Sequence, residues 1–303
     1  MEELVSYLAG KTIAVTGAGR GIGRAVALAC AEAGANVVVN DFGVTMDGKD
    51  PDDTVARSVV EEITSAGGSA IPLVDSVTTM QGGSRIVQAA IDTYGSIDGV
   101  VCVAGILRER MLFNMTEEDW DPVIETHLKG TFTVFRAAAA AMREQKSGTL
   151  IGFTSGAFAA SIAQANYAAA KGGIVSLVRS AAAGMKKYGV TANCVAPVAR
   201  SRMSGQVPFG LEMGEPEDVA PLVVYLLGEQ ARQITGQIYT ANGGTVAVWN
   251  QPQEVREMRL DGRWTPELLE QRLLSEIGTE EMPIFARMEQ MALAAKNAEA
   301  AKQ

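Results

Sequence analysis

Short apolar runs recur along the first 245 residues, and longer stretches in which apolar positions return every three or four residues lie between them. The short runs are Thr12–Thr16, Asn36–Asn40, Ser69–Val74, Gly99–Val103, Thr149–Phe153, Thr191–Val195 and Gln237–Thr240. The helical stretches are Gly21–Ala33, Val55–Ala66, Gly83–Tyr94, Glu118–Arg143 and Asn166–Lys187. The short runs do not alternate with polar residues, so they predict strands buried on both faces, as in a parallel sheet. Right-handed crossovers then predict a doubly wound α/β fold: about seven parallel strands with helices on both faces. Two segments break the rhythm. Phe42–Asp53 holds Gly43, Gly48, Pro51 and four aspartates and reads as a long exposed loop. From Trp249 the pattern stops, and Thr265-Pro266 reads as an N-cap and first helical residue, followed by a polar helical stretch over Glu267–Gln303. The expected division is a catalytic domain over 1–248 and a C-terminal helical extension over 249–303, packed on the core or on a partner subunit.

Composition narrows the function classes. Of 303 residues, 47% are apolar and 20% charged, which excludes a disordered chain. The net charge of −9 and the lack of any Lys/Arg-rich run argue against nucleic acid as a partner. No apolar run reaches the roughly 18 residues of a membrane span. The first ten residues carry two acids and no basic start, which argues against a secretory signal. Cys30, Cys102 and Cys194 lie far apart among apolar neighbours and read as small buried hydrophobes in a reducing compartment. No metal site is expected, because Cys and His do not cluster. The one histidine, His127, leaves no ordinary Ser-His-Asp hydrolase unless it is the base.

The candidate chemistry begins where the first strand ends, at Thr16-Gly17-Ala18-Gly19-Arg20-Gly21-Ile22-Gly23. Between a strand and a helix, such glycines permit a tight turn and let backbone N–H groups at a helix N-terminus approach a pyrophosphate. Asp41 closes the second strand, where a carboxylate accepts hydrogen bonds from an adenosine ribose and repels a 2′-phosphate. That favours NAD over NADP; Arg20, which can hold a 2′-phosphate, is the counter-argument. Asp75, followed by Ser76 after the third strand, suits either an adenine amino group or a turn cap. Tyr167 and Lys171 stand at i and i+4 on one helix face. A phenol near pKa 10 is a poor base at neutral pH, and a neighbouring ammonium favours its phenolate. The preceding strand ends in Thr154-Ser155, which adds a hydroxyl.

Together with Ala104-Gly105, these pieces make residues 10–245 resemble the short-chain dehydrogenase/reductase superfamily, a Rossmann-type fold. Ala104-Gly105-Ile106-Leu107-Arg108-Glu109-Arg110, Trp120, His127-Leu128-Lys129-Gly130, Gln164-Ala165-Asn166-Tyr167 and Ala196-Pro197 through Ser201-Arg202-Met203 are similar, more closely, to the (3R)-hydroxyacyl-CoA dehydrogenase region of peroxisomal multifunctional enzymes, also known as 17β-hydroxysteroid dehydrogenases. The Val38-Val39-Asn40-Asp41-Phe42-Gly43 run fits that group too. The resemblance implies Tyr167 as general acid/base, Lys171 as a ribose ligand that lowers the phenol pKa, and Ser155 as a donor to the substrate oxygen. It implies Ala104, Gly105, Pro197 and Val198 beside the cofactor. His127 takes the place of the usual asparagine of the tetrad; it either orders a water in a proton relay, titrating near pH 6.5, or is a packed core residue.

Three departures stand out. Cys102-Val103 replaces the Asn-Asn whose side-chain amide braces the sheet. Ser155 precedes Tyr167 by one residue fewer than usual, which leaves Thr154 as a second candidate hydroxyl. Pro197-Val198 replaces Pro-Gly. The Arg200–Pro216 segment reads as a substrate lid, with Arg200, Arg202, Met203 and Phe209 as candidate contacts to an apolar group bearing a charged handle. The expected function is NAD-dependent interconversion of a secondary alcohol and a ketone, most simply on a fatty or steroid-derived 3-hydroxyacyl-CoA. A free hydroxysteroid or small secondary alcohol is the alternative substrate, and a catalytically silent NAD-binding subunit the alternative role. The counterparts of helices Glu118–Arg143 and Asn166–Lys187 form subunit contacts in this family, so a homodimer or homotetramer is expected. The ending Ala-Lys-Gln differs from the peroxisomal Ser-Lys-Leu, which leaves a cytoplasmic protein as the expectation.

Overall fold

The computed structural model describes residues 7–45, 49, 52–200, 213–286, 288 and 289. It divides into two compact units, Met1–Trp249 and Asn250–Gln303. In the first unit β1 (Thr12–Thr16), β2 (Asn36–Asn40), β3 (Ser69–Leu73), β4 (Gly99–Cys102), β5 (Gly148–Phe153), β6 (Val190–Pro197), β7 (Ile238–Asn242) and β8 (Thr245–Val248) form one sheet in the order β3-β2-β1-β4-β5-β6-β7-β8. The first seven are parallel. Alternate residues of each strand feed opposite cores. Ile13, Val15, Val37, Val39 and Ile151 point to one face, and Ala14, Val38, Val100 and Leu150 to the other. This explains the absence of polar alternation, since both faces are covered. The helices α1 (Gly21–Glu32) and α2 (Thr54–Ser65) cover the first face with a later helix, Ala220–Leu227; α3 (Met80–Tyr94) and two helices described next cover the second.

The long helix expected over Glu118–Arg143 is three pieces: α4 (Glu117–Ile124), a π turn over Glu125–Lys129, and α5 (Gly130–Gln145). Thr116 caps α4 in a reciprocal capping box with Asp119. Pro122 inside α4 removes one backbone donor from the ladder just before the π turn. The helix expected over Asn166–Lys187 is α6 (Ala165–Met185), and the helix covering the first face beyond it is α7 (Ala220–Leu227). The buried residues of α6, among them Ala170, Ile174, Val175 and Val178, let α6 lie on β5 and β6.

Two details extend the expected fold. The sheet has an eighth strand, β8, antiparallel to β7 and joined to it through Gly243-Gly244. The Asn242-Gly243-Gly244-Thr245 run carries a two-residue hairpin signal. In the second unit Thr265 caps α8 (Pro266–Arg272) through a bond from Leu268 N at 3.3 Å, as the Thr-Pro pair suggests. Among the described residues the polar helical stretch is interrupted. After α8 a π turn covers Leu273–Ile277, and helix resumes at 283–286 and is seen again at 288 and 289. Gly278, a poor helix former at φ 69°, lies in the break, and Pro283 opens the resumed helix, where its missing N–H is tolerated.

Candidate active site

In an open parallel sheet the crevice forms beyond the carboxyl ends of the strands, where the strand order reverses. Here that point lies between β1 and β4. A cavity of about 390 Å³ occupies it, lined by the turns after β1, β2, β3 and β4 and by the end of α4. Gly17, Arg20, Gly21, Ile22, Gly23, Asp41, Asp75, Ser76, Ala104 and Gly105 all line it. The turn after β1 is packed so tightly that a Cβ on Gly23 would stand 2.0 Å from the Gly17 carbonyl oxygen. The start of α1 therefore lies directly on the strand end, and Gly21 faces open space on the cavity side. A narrow backbone cradle at a helix N-terminus fits the phosphates of a dinucleotide.

Gly19 does not line the cavity but anchors Asp41. Its N–H donates to Asp41 Oδ2 at 2.8 Å, while Gly43 N–H donates to Oδ1 at 2.7 Å. The carboxylate is thus fixed at the rim beside the glycine turn. The Arg20 guanidinium reaches the Val44 carbonyl at 3.4 Å and helps hold the Asp52 carboxyl below its ordinary range, after the hydrogen bonds from Thr54. Asp75 receives both a 2.8 Å bond and a second, bidentate bond from Arg85. The carboxylate expected either at an adenine amino group or as a turn cap is ion-paired in this structure while still lining the cavity. Asn40, absent from the expected site, fixes this edge: its Nδ2 donates to the carbonyls of Leu73 and Asp75 at 3.2 and 2.9 Å.

The missing asparagine after β4 is offset by Thr16. Thr16 Oγ1 accepts from Ala104 N at 3.3 Å, and Val103 N donates to the Thr16 carbonyl at 3.3 Å. A hydroxyl on β1 thereby ties the Ala104-Gly105 turn to the strand.

The second cluster sits where β5 meets α6. The Ser155 hydroxyl sits beside the Tyr167 phenol, where it works to lower the phenol pKa, and accepts from Ala157 N at 3.2 Å. Thr154 is turned away: buried, it donates from Oγ1 to the Lys171 carbonyl at 2.9 Å. Ser155 is therefore the hydroxyl beside the phenol. Lys171 is buried with Nζ donating to the Phe153 carbonyl at 2.6 Å and lying 5.3 Å from the centre of the Tyr167 ring. Burial lowers the Lys171 amine from 10.5 to about 7. Burial raises the Tyr167 phenol above 10, with the Ser155 hydroxyl opposing. The expected lowering of the phenol by Lys171 is not found in this arrangement, because an amine near 7 is neutral where the phenol titrates.

His127 rides on the π turn, buried, with its ring edge-on to Tyr167 at 5.1 Å between centres. Its Nε2–H donates to the Ile106 carbonyl at 2.8 Å, which leaves Nδ1 as a buried atom without a hydrogen-bond partner. An unpaired acceptor is the less costly of the two tautomers, since orphaned buried N–H groups are the rarer. Burial first, then the Lys171 charge, holds the imidazolium well below the ordinary 6.5. The expected titration near pH 6.5 is thus corrected. The ring also backs Gly105, where a Cβ would stand 2.1 Å from its Cε1. The cavity and the Ser155–Tyr167–Lys171 cluster meet through this contact, although those three side chains do not line the cavity itself.

Pro197 and Val198 close β6, with Val198 N donating to the Ala241 carbonyl at 2.8 Å, and neither lines the cavity. Arg200 is exposed and already engaged: it donates to the Met213 carbonyl at 3.1 Å and ion-pairs with Glu215 at 3.4 Å. Arg202, Met203 and Phe209 lie outside the described residues. Among the described residues no helix is long and apolar enough to cross a membrane.

Comparison with known proteins bears on this arrangement. The family model described as enoyl-(acyl carrier protein) reductase matches residues 17–246. The chain is 37% identical over 278 residues to the hydroxyacyl-CoA dehydrogenase ChsB1 of Mycobacterium tuberculosis, covering 86% of each chain. It is 42% identical over 241 residues to the peroxisomal multifunctional enzyme type 2 of Mus musculus, 78% of this chain but only 32% of that protein. The crystal structure of a short chain dehydrogenase from Mycobacterium avium superposes with a TM-score of 0.83 at 41% identity, covering 92% of this chain and 98% of that one. With the glycine turn, the switch-point cavity and the Ser-Tyr-Lys cluster all in place, this chain belongs to the short-chain dehydrogenase/reductase family of oxidoreductases.

Proposed function

We propose that the protein is an NAD-dependent dehydrogenase that interconverts a secondary alcohol and a ketone on a 3-hydroxyacyl-CoA, fatty or steroid-derived. The observation that carries the reading is the Ser155–Tyr167–Lys171 cluster beside the glycine-turn cavity, half-buried at Ser155 and Tyr167 and buried at Lys171. The choice of NAD is supported by Asp41, held at the rim by the Gly19 and Gly43 amides, where its charge opposes a 2′-phosphate. Arg20, turned toward the Val44 carbonyl, does not offset it. The substrate class is supported by the likeness to a hydroxyacyl-CoA dehydrogenase and to peroxisomal multifunctional enzymes. A cytoplasmic homodimer or homotetramer fits this reading.

In this mechanism Gly17, Gly21, Ile22 and Gly23 cradle the pyrophosphate, and Ser76 borders the adenine side. Ala104, Gly105 and the β6 end at Pro197-Val198 bound the nicotinamide side. The bound nicotinamide supplies the acceptor for the hydride that leaves the alcohol carbon. Ser155 donates to the substrate oxygen. Tyr167 takes the hydroxyl proton in oxidation and returns it in reduction. Lys171 bonds the ribose and, when protonated, favours the phenolate. His127 holds the Gly105-Ile106 backbone and stays neutral.

The test is NADH formation from a panel of (3R)- and (3S)-hydroxyacyl-CoA of short and long chain and a free 17β-hydroxysteroid, with NADP in parallel. Turnover of one CoA enantiomer with NAD is expected. Turnover of the free steroid alone moves the substrate class, preference for NADP overturns the cofactor, and binding of NAD with no turnover of any alcohol sinks the catalytic reading.

A further inference from the structure

Asn166 precedes Tyr167 in the first turn of α6 and is fully buried, at 0% exposure. Its Nδ2 donates to the Arg108 carbonyl at 2.9 Å and to the Asp119 carbonyl at 2.7 Å. Its Oδ1 accepts from the Tyr167 amide at 2.8 Å. One carboxamide therefore spends both its donors on two carbonyls from two other segments. Arg108 lies in the loop after β4 and lines the cavity, and Asp119 lies in α4, whose Pro122 lines it too.

Further bonds converge on the same place. Arg110 N donates to the Ala163 carbonyl at 2.7 Å, Gln164 donates to Glu109, and Arg110 ion-pairs with Asp119 at 2.7 Å. Ala163 has φ of 59°, a left-handed conformation that costs a non-glycine residue about 1 kcal/mol or more. A backbone held in that state just before α6 indicates that its surroundings over-determine it.

We propose that Asn166 is a positioning residue for Tyr167: it locks the first turn of α6 to the β4 loop and to α4, and so fixes how deep the phenol stands beside the substrate cleft. The inference rests on the reading of Tyr167 as the acid/base. Asn166 does not line the cavity, so it acts through Tyr167 and not on the cofactor. The chemistry demands a carboxamide. Aspartate has the same shape but would face two carbonyl oxygens with lone pairs, while its second oxygen could still accept from the Tyr167 amide.

The test compares Asn166→Asp and Asn166→Ser with the wild-type protein. Asn166→Asp is expected to lower kcat roughly 10- to 100-fold at pH 8, the loss from buried hydrogen bonds of ~1–3 kcal/mol. NAD affinity, measured by calorimetry, is expected to stay within about threefold. Protonation of the new carboxyl restores one donor, so the deficit of Asn166→Asp relative to wild type shrinks as pH falls, while that of Asn166→Ser does not. A merely structural residue would lower Tm without separating kcat from NAD affinity and without this pH signature. Hydrogen exchange supplies a readout that needs no turnover: in Asn166→Ser the amides of 108–110 and 163–168 are expected to open together, with β1 and β2 unaffected. Equal kcat in all three proteins, a parallel loss of NAD affinity, or unchanged exchange in those two segments overturns the proposal. If the wild type turns over no alcohol, the reading of Tyr167 fails on that result, and exchange alone decides whether the clamp exists.

Discussion

At Lys171 burial and charge pull against each other. The amine is lowered from 10.5 to about 7 by loss of hydration, with one bond to the Phe153 carbonyl in return. Between these two values the unfolded chain holds a proton that the folded chain has released, so stability rises with pH over this range and is lost as pH falls toward 7. Denaturant unfolding of the cofactor-free protein from pH 7 to 9 should therefore show wild-type stability climbing relative to Lys171→Met, by up to about 1 kcal/mol per pH unit, with Tm rising in step. A parallel pair of curves would contradict the depressed amine. Tyr167 carries the complementary prediction. Tyr167→Phe keeps the ring against His127 and removes only the hydroxyl, so turnover should fall by about 10²–10⁴-fold, the usual worth of a general acid/base. NAD titration of the same variant should change little, since the phenol does not line the cavity.

At the scale of elements, two devices shape the site: the glycine turn into α1 and the π turn between α4 and α5. At the first, Gly23→Ala would push a methyl to 2.0 Å from the Gly17 carbonyl oxygen. The helix N-terminus must then lift from β1, so NAD binding should weaken at least about tenfold, with a Tm loss from the strained turn. Calorimetry and a melt on one sample check both, and intact affinity would show that the turn can yield. At the second, the π turn carries His127 inward to Ile106 and Gly105. The turn was not legible in advance, because Glu118–Arg143 has the spacing of one continuous helix and only Pro122 hints at a break. The β7–β8 hairpin was legible in Asn242-Gly243-Gly244-Thr245, but a short strand with all four residues exposed carries no core pattern to draw attention.

For the molecule as a whole, Cys30, Cys102 and Cys194 are all buried, and burial pushes each thiol up to about 12. Thiolate is the reactive form, so a disulfide reagent at pH 8 should leave the native protein unlabelled. All three thiols should then react together as denaturant is raised through the unfolding transition, because they belong to the two cores on either face of one sheet. Early labelling of Cys102 alone would mean that the end of β4, beside the cavity, opens before the sheet does.

Apolar runs without alternation dictated strands covered on both faces, and the seven parallel strands fall within a few residues of those runs. Local sequence also dictated the glycine turn, the Asp41 position and the Tyr167–Lys171 helix face, because each depends on neighbours in the chain or on a fixed helical period. Tertiary structure decided the rest. Which hydroxyl meets Tyr167 depends on how β5 ends against α6, and Thr154 is taken by the Lys171 carbonyl. The Asp75 carboxylate is taken by Arg85 across a turn, and the protonation of His127 and Lys171 follows from burial that no single segment specifies. Asn166 read as one letter of a motif; its three bonds exist only because the β4 loop, α4 and α6 converge. Spacing along a chain fixes which face a side chain occupies, whereas desolvation and long-range hydrogen bonds are set by what packs onto that face.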